Sequence, residues 1–102
     1  MRTTTEPVAD VRRMKRPPTH PGEMLRAEFL EPLALSQAAA ARRMGISTNR
    51  LNEIVRGKRG VTAATALRLA DLLGTSPEFW LNLQTAWDLW HAYRESGHGR
   101  AA

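Results

Sequence analysis

The residues with most chemistry to offer form one short polar stripe. At 100° per residue, Asn49, Asn52, Glu53 and Arg56 fall on one side of a helix, at i, i+3, i+4 and i+7. Leu51, Ile54 and Val55 fall on the other, and Thr48 and Arg50 flank the polar side. Asn can bond adenine at two points and Arg can bond guanine at two points, so this stripe suits hydrogen bonding to base edges in a major groove. Residues near the N-terminus of such a helix reach the bases first. That order puts Thr48, Asn49 and Arg50 in front, with Asn52 and Glu53 behind. Glu53 is the awkward member, because phosphates repel it. It can accept from a cytosine amine, or orient Arg50 or Arg56, each three residues away.

Around the stripe stand groups suited to phosphate contact, which positions a protein on nucleic acid without reading it. Gln37 opens the preceding helix, near a phosphate or the first base pair, and Ser47 caps the stripe's own helix. Arg56, Lys58 and Arg59 follow it. Residues 42–59 hold six cations (Arg42, Arg43, Arg50, Arg56, Lys58, Arg59) and one acid, Glu53. The chain carries +5 overall, which points to a polyanionic partner, either nucleic acid or an anionic membrane surface. The last third is slightly acidic, and residues 1–18 carry a separate +3.

The elements that position these groups read as helices. The 102 residues make one domain. Its 15 Ala and 12 Leu outnumber 6 Val and Ile, which excludes most sheet folds. His20-Pro21-Gly22-Glu23 opens a first helix that Pro32 must end near Glu31. Ser36 caps a second helix through Met44, and Gly45 ends it. Ser47 caps a third, about Thr48 to Arg56, and Gly57-Lys58-Arg59-Gly60 forms a turn. Thr62 caps a fourth helix, Ala63 to Leu73. Ser76-Pro77-Glu78 starts a fifth, which runs to about Tyr93. The second and third helices meet across a three-residue turn at Gly45, as a helix-turn-helix requires, and Ala41 lies at their crossing. The expected fold is all-α: a compact five-helix, lambda-repressor-like bundle. Residues 1–19 form a flexible basic arm, 20–94 the helix-turn-helix domain with a C-terminal dimerisation helix, and 95–102 a disordered tail.

The fifth helix carries an aromatic row. Phe79, Leu83, Ala86 and Trp90 stand at i, i+4, i+7 and i+11, with Trp80 and Trp87 alongside. Part of this must close the core. An Ala-rich bundle is too small to bury all of it, so Trp80, Leu83, Trp87 and Trp90 are expected at a dimer surface. Two-fold symmetry then sets the reading helices about 34 Å apart, one turn of DNA. Some of this surface can instead serve a protein partner.

Enzyme chemistry is not expected. His20, His91 and His98 have no acid or nucleophile in a catalytic arrangement, and none pairs at metal-ligand spacing. Neither a metal nor a cofactor is expected. Zero Cys removes disulfides and thiol chemistry and suits a reducing compartment. No apolar run is long enough for a membrane span, no membrane-seeking basic helix stands out, and the N-terminus lacks the apolar stretch of a secretory signal.

The stretch from residue 36 to 60 resembles the Cro/repressor type of helix-turn-helix. The likeness extends further. HPGE (20–23), NRLNEI (49–54), GKRG (57–60), TALRLA (65–70) and GTSPEFWLNLQ (74–84) together resemble HigA-type antitoxins, also called the virulence-associated protein I group. The resemblance covers about residues 20–90. It implies a dimeric repressor of its own toxin–antitoxin operon, bound to palindromic operator DNA, in the bacterial cytoplasm at the nucleoid. The implied second partner is a HigB-type toxin, a RelE-like ribosome-dependent mRNA endonuclease. A stand-alone regulator of the same fold, without a toxin, is the alternative; a third is a protein-binding module that reads no DNA. Two features depart from the group: Trp87 stands where relatives often have Tyr before Asp88-Leu89, and residues 1–19 have no counterpart.

Overall fold

Each α-helix of this protein starts on a side-chain acceptor, which satisfies a backbone N–H that the first turn leaves free. The computed structural model describes residues 10–97. His20 Nδ1 accepts from the Gly22 N–H (2.9 Å) and opens α1, Pro21–Leu25. Ser36 Oγ accepts from Ala39 (3.1 Å) ahead of α2, Gln37–Met44. Ser47 Oγ accepts from Arg50 (3.0 Å) ahead of α3, Thr48–Val55. Thr62 does the same for α4, Ala63–Leu73, and Ser76 for α5, Pro77–Glu95. Gly45 and Gly74 end α2 and α4 in the left-handed region, at φ 75° and 76°. Five helices and no strands make up the described residues, an all-α helix-turn-helix globule.

The first helix is less regular than its sequence suggests. After Leu25 it widens into a π-helical turn, Arg26–Leu30, where the Glu31 N–H reaches the Arg26 carbonyl at 3.0 Å. Pro32 explains this: it has no N–H to offer, and its ring crowds the carbonyl one turn back. The chain leaves through Ala34, whose φ of 52° is unusual for a residue with a Cβ.

The core lies where α1, α2, α3 and α4 converge under α5. Leu25, Leu30, Ala40, Ala41, Met44, Leu51, Ile54, Val61, Ala66, Leu69 and Trp80 are all buried. Ala40 and Ala41 keep α2 slim where α3 and α4 pack on it. The closest approach is at Gly22, where a Cβ would stand 1.8 Å from the Ile54 carbonyl oxygen, so α1 rests on the end of α3 only because Gly22 has no side chain.

Trp80 is a core residue, not a surface one. It is 0% exposed, lies 5.3 Å from Phe29 and 5.0 Å from Phe79 (ring centroids), and donates from Nε1 to Thr75 Oγ1 at 2.7 Å. This corrects its expected place at a dimer surface. Phe79 and Trp80 are neighbours in sequence, and the bundle is thick enough there to take both.

The expected flexible arm also needs correction in its second half. Residues 1–9 lie outside the described residues. From Asp10 on, the chain is anchored: Val11–Arg13 form a 3-10 turn capped by Asp10 and lying against α5. Trp90 Nε1 donates to the Met14 carbonyl at 3.0 Å. Trp90 is therefore buried by the arm and by the Arg94 guanidinium, 5.0 Å from its ring centroid. At the other end Glu95 still belongs to α5, Ser96 and Gly97 form a turn, and the rest of the expected tail lies outside the described residues.

Candidate nucleic-acid interface

α2, the Gly45 turn and α3 form the helix-turn-helix, and Leu51 and Ile54 hold α3 to the core by its apolar side. The polar side is left facing out. Thr48 and Asn49 are exposed at its leading end, with Ser47 exposed just before them. Gln37 and Asn52 meet across the two helices, Asn52 Nδ2 donating to Gln37 Oε1 at 3.1 Å. That bond orients both amides: Asn52 Oδ1 and the Gln37 amide N–H groups stay available side by side, a donor and an acceptor held in fixed relation. Arg56, Lys58 and Arg59 are exposed beyond the end of α3.

Arg50 is not where the stripe put it. It is half-buried, its Nη2 donates to Thr65 Oγ1 on α4 at 2.9 Å, and its Nε is buried without a partner. The reason lies in the spacing: Arg50 is one turn before Ile54, at i+4, and shares its inward-turning side. The front of the helix thus belongs to Thr48 and Asn49. Glu53 pairs with neither Arg50 nor Arg56 but with Arg59, at 2.8 Å, and its carbonyl accepts from the Lys58 N–H at 2.8 Å. Six residues separate Glu53 from Arg59. Only the fold-back after α3, through Gly57 at φ 75°, brings them together.

Three supporting residues had no role in the reading of the sequence. Gln84 Oε1 on α5 accepts from the Val61 N–H at 2.8 Å, and its Nε2 donates to Asp88 at 2.9 Å. The basic turn 57–60 is therefore tied to α5, and a Cβ added at Gly60 would stand 3.1 Å from the Gln84 amide. Arg68 donates to the Met44 carbonyl and closes the end of α2. Thr65 receives Arg50 and also Thr62 Oγ1. Gln84–Val61, Arg68–Met44 and Arg50–Thr65 join segments 15 to 24 residues apart, and no local spacing announces them.

Along α5, Leu83 and Trp87 are half-buried. Trp87 stands between His20, edge-on at 4.9 Å, and His91, at 4.4 Å. Leu89, 54% exposed, is the large apolar residue that α5 leaves outside. Burial pushes the His20 pKa down, partly opposed by Asp88 and Glu23. His98 lies outside the described residues. Among those residues no cluster of acids and histidines could hold a metal, and no helix is long and apolar enough to cross a membrane.

The helix-turn-helix family matches residues 27–80, over half of the chain. Virulence-associated protein I of Dichelobacter nodosus is 53% identical over 73 residues, which cover 72% of this chain and 68% of that protein. Antitoxin HigA-1 of Vibrio cholerae serotype O1 is 48% identical over 81 residues, covering 78% of this chain and 75% of that one. The structure of the Pseudomonas aeruginosa antitoxin HigA with the higBA promoter superposes with a TM-score of 0.77 at 46% identity, over 79% of this chain and 88% of the other. A helix-turn-helix face built on capped helices, in a chain this close to those proteins over most of its folded length, belongs to the HigA-type antitoxin family.

Proposed function

We propose that this protein is the antitoxin of a type II toxin–antitoxin module and the repressor of its own operon. It reads operator DNA with α3 and binds and silences a HigB-type toxin, a RelE-like mRNA endonuclease. The observation that carries the DNA-reading part is the outward face of the helix-turn-helix: Thr48 and Asn49 lead, the Gln37–Asn52 pair stands behind them, and Arg56, Lys58 and Arg59 flank. Thr48, Asn49 and Asn52 contact base edges; Gln37, Ser47, Arg56, Lys58 and Arg59 take phosphates. Glu53 holds Arg59 toward the backbone. The Pseudomonas aeruginosa HigA structure with its promoter supports this reading, and the Vibrio cholerae antitoxin supports the toxin partnership.

Two copies bind a palindromic operator, with their α3 helices one DNA turn apart. The outward face of α5, with Leu89 exposed, joins them. The protein works in the bacterial cytoplasm on the nucleoid, without a cofactor and without catalysing a reaction.

Because the reading face is complete in a single chain, it equally suits a regulator with no toxin. Expressing the neighbouring reading frame alone and together with this protein separates the two. Growth arrest by the neighbour, rescued by co-expression, with both proteins purifying as one complex, is the expected result. A neighbour that is harmless and does not co-purify leaves the regulator alone standing.

A further inference from the structure

The positive charge of residues 10–18 has no part in the function proposed so far. Its first member, Arg12, pairs with Asp10 at 2.7 Å. Lys15 and Arg16 are different. Both are exposed, and among the described residues neither has an ion-pair partner. They are not on a loose end, because the Met14 carbonyl next to them is held by the buried indole of Trp90.

Where the chain goes next fixes where these cations sit. Pro17, Pro18 and Thr19 line an open groove of about 470 Å³ together with Val55, Arg56 and Gly57. The arm thus runs beside the end of α3, at the edge of the basic turn. Pro17 and Pro18 fix φ and hold the residue before each of them extended. Glu23 is the one acid lining the groove. A merely solvated charge run needs no anchor, whereas this one is ordered by a tryptophan N–H that the bundle does not otherwise use.

We propose that residues 14–19 are a strap for DNA phosphates: Lys15 and Arg16, set in place by Trp90, extend the cation row of Arg56, Lys58 and Arg59 and grip the backbone beside the bases that α3 reads. The strap rests on the DNA-reading function above and adds affinity, not sequence preference.

The test uses the full chain and two duplexes of equal length, the region upstream of its own gene and a random sequence. Binding is measured across a salt series for the wild type, for K15Q/R16Q, and for W90F. Losing two phosphate contacts lowers the slope of log K against log salt by about 1.8 on both duplexes, with their affinity ratio unchanged. W90F keeps a smaller aromatic ring and removes the N–H that holds Met14, so it loses part of the same slope while its melting transition stays cooperative. A K15Q/R16Q slope equal to wild type overturns the strap, and does so even if the variant stops co-purifying with the neighbouring gene product, which would assign these cations to a protein partner. A wild type that binds its upstream duplex no better than random DNA overturns instead the reading function on which the strap rests.

Discussion

At the scale of single residues, the outward face of α3 was legible because helical spacing and side-chain chemistry agree there. Asn49 at the front and Leu51 and Ile54 at the back stand where the 3.6-residue period puts them. Arg50 and Glu53 went elsewhere because their partners, Thr65 and Arg59, come from beyond the next turn. A guanidinium bonded to a hydroxyl on α4 ties two helices together. Arg50→Ala should therefore cost about 1 kcal/mol of stability and leave the preference for operator over random DNA unchanged, as denaturant unfolding and competition binding will measure. His20 adds a pH dependence. Its neutral Nδ1 must accept the Gly22 N–H, and burial holds its pKa below the ordinary 6.5. Below that value the unfolded chain binds a proton that the folded one refuses. The stability due to neutral His20 is then complete above the unfolded pKa and is lost as pH falls through the folded one. The melting temperature should drop as pH falls below the ordinary histidine value of 6.5, and His20→Asn, which keeps an acceptor at the cap, should flatten that drop. An equally steep drop in the variant would assign it to other groups.

At the scale of elements, caps were the most readable feature. Ser36, Ser47, Thr62 and Ser76 each cap the helix they precede, because an N-cap is a local event within three residues. The widened turn at Arg26–Leu30 was not readable, since Pro32 announces that a helix must yield but not how. The tie between the basic turn and α5 was equally hidden: Gln84 and Val61 are 23 residues apart. Val61 is buried, so Gln84→Ala leaves its N–H without an acceptor. That should cost about 1–3 kcal/mol in denaturant unfolding and loosen residues 57–60. Hydrogen exchange at Lys58 to Val61 will report the loosening. Unchanged exchange there would show that Gly57 and the Glu53 contacts hold the turn unaided.

At the scale of the whole molecule, the Ala-rich composition correctly announced slim helices in close contact, yet it misplaced Trp80 and Trp90. Counting apolar side chains against bundle size left out the N-terminal segment, which covers Trp90, and the pocket formed by Phe29, Phe79 and Thr75, which takes Trp80. What is left outside on α5 is Leu89. If that face joins two copies, Leu89→Arg shifts sedimentation toward the monomer and weakens operator binding far more than binding to a half-site. A variant that sediments as a dimer places the two-fold axis elsewhere.

If one face of this molecule both reads and grips DNA with different residues, competition binding of Asn49→Ala and Arg59→Ala, on operator and random duplexes across a salt series, separates the two roles. Asn49→Ala should lose about 1–3 kcal/mol of preference for the operator and keep its salt slope, whereas Arg59→Ala should keep the preference, weaken both duplexes alike and lower the slope by about 1. Equal losses on both duplexes for both variants would contradict that division of roles.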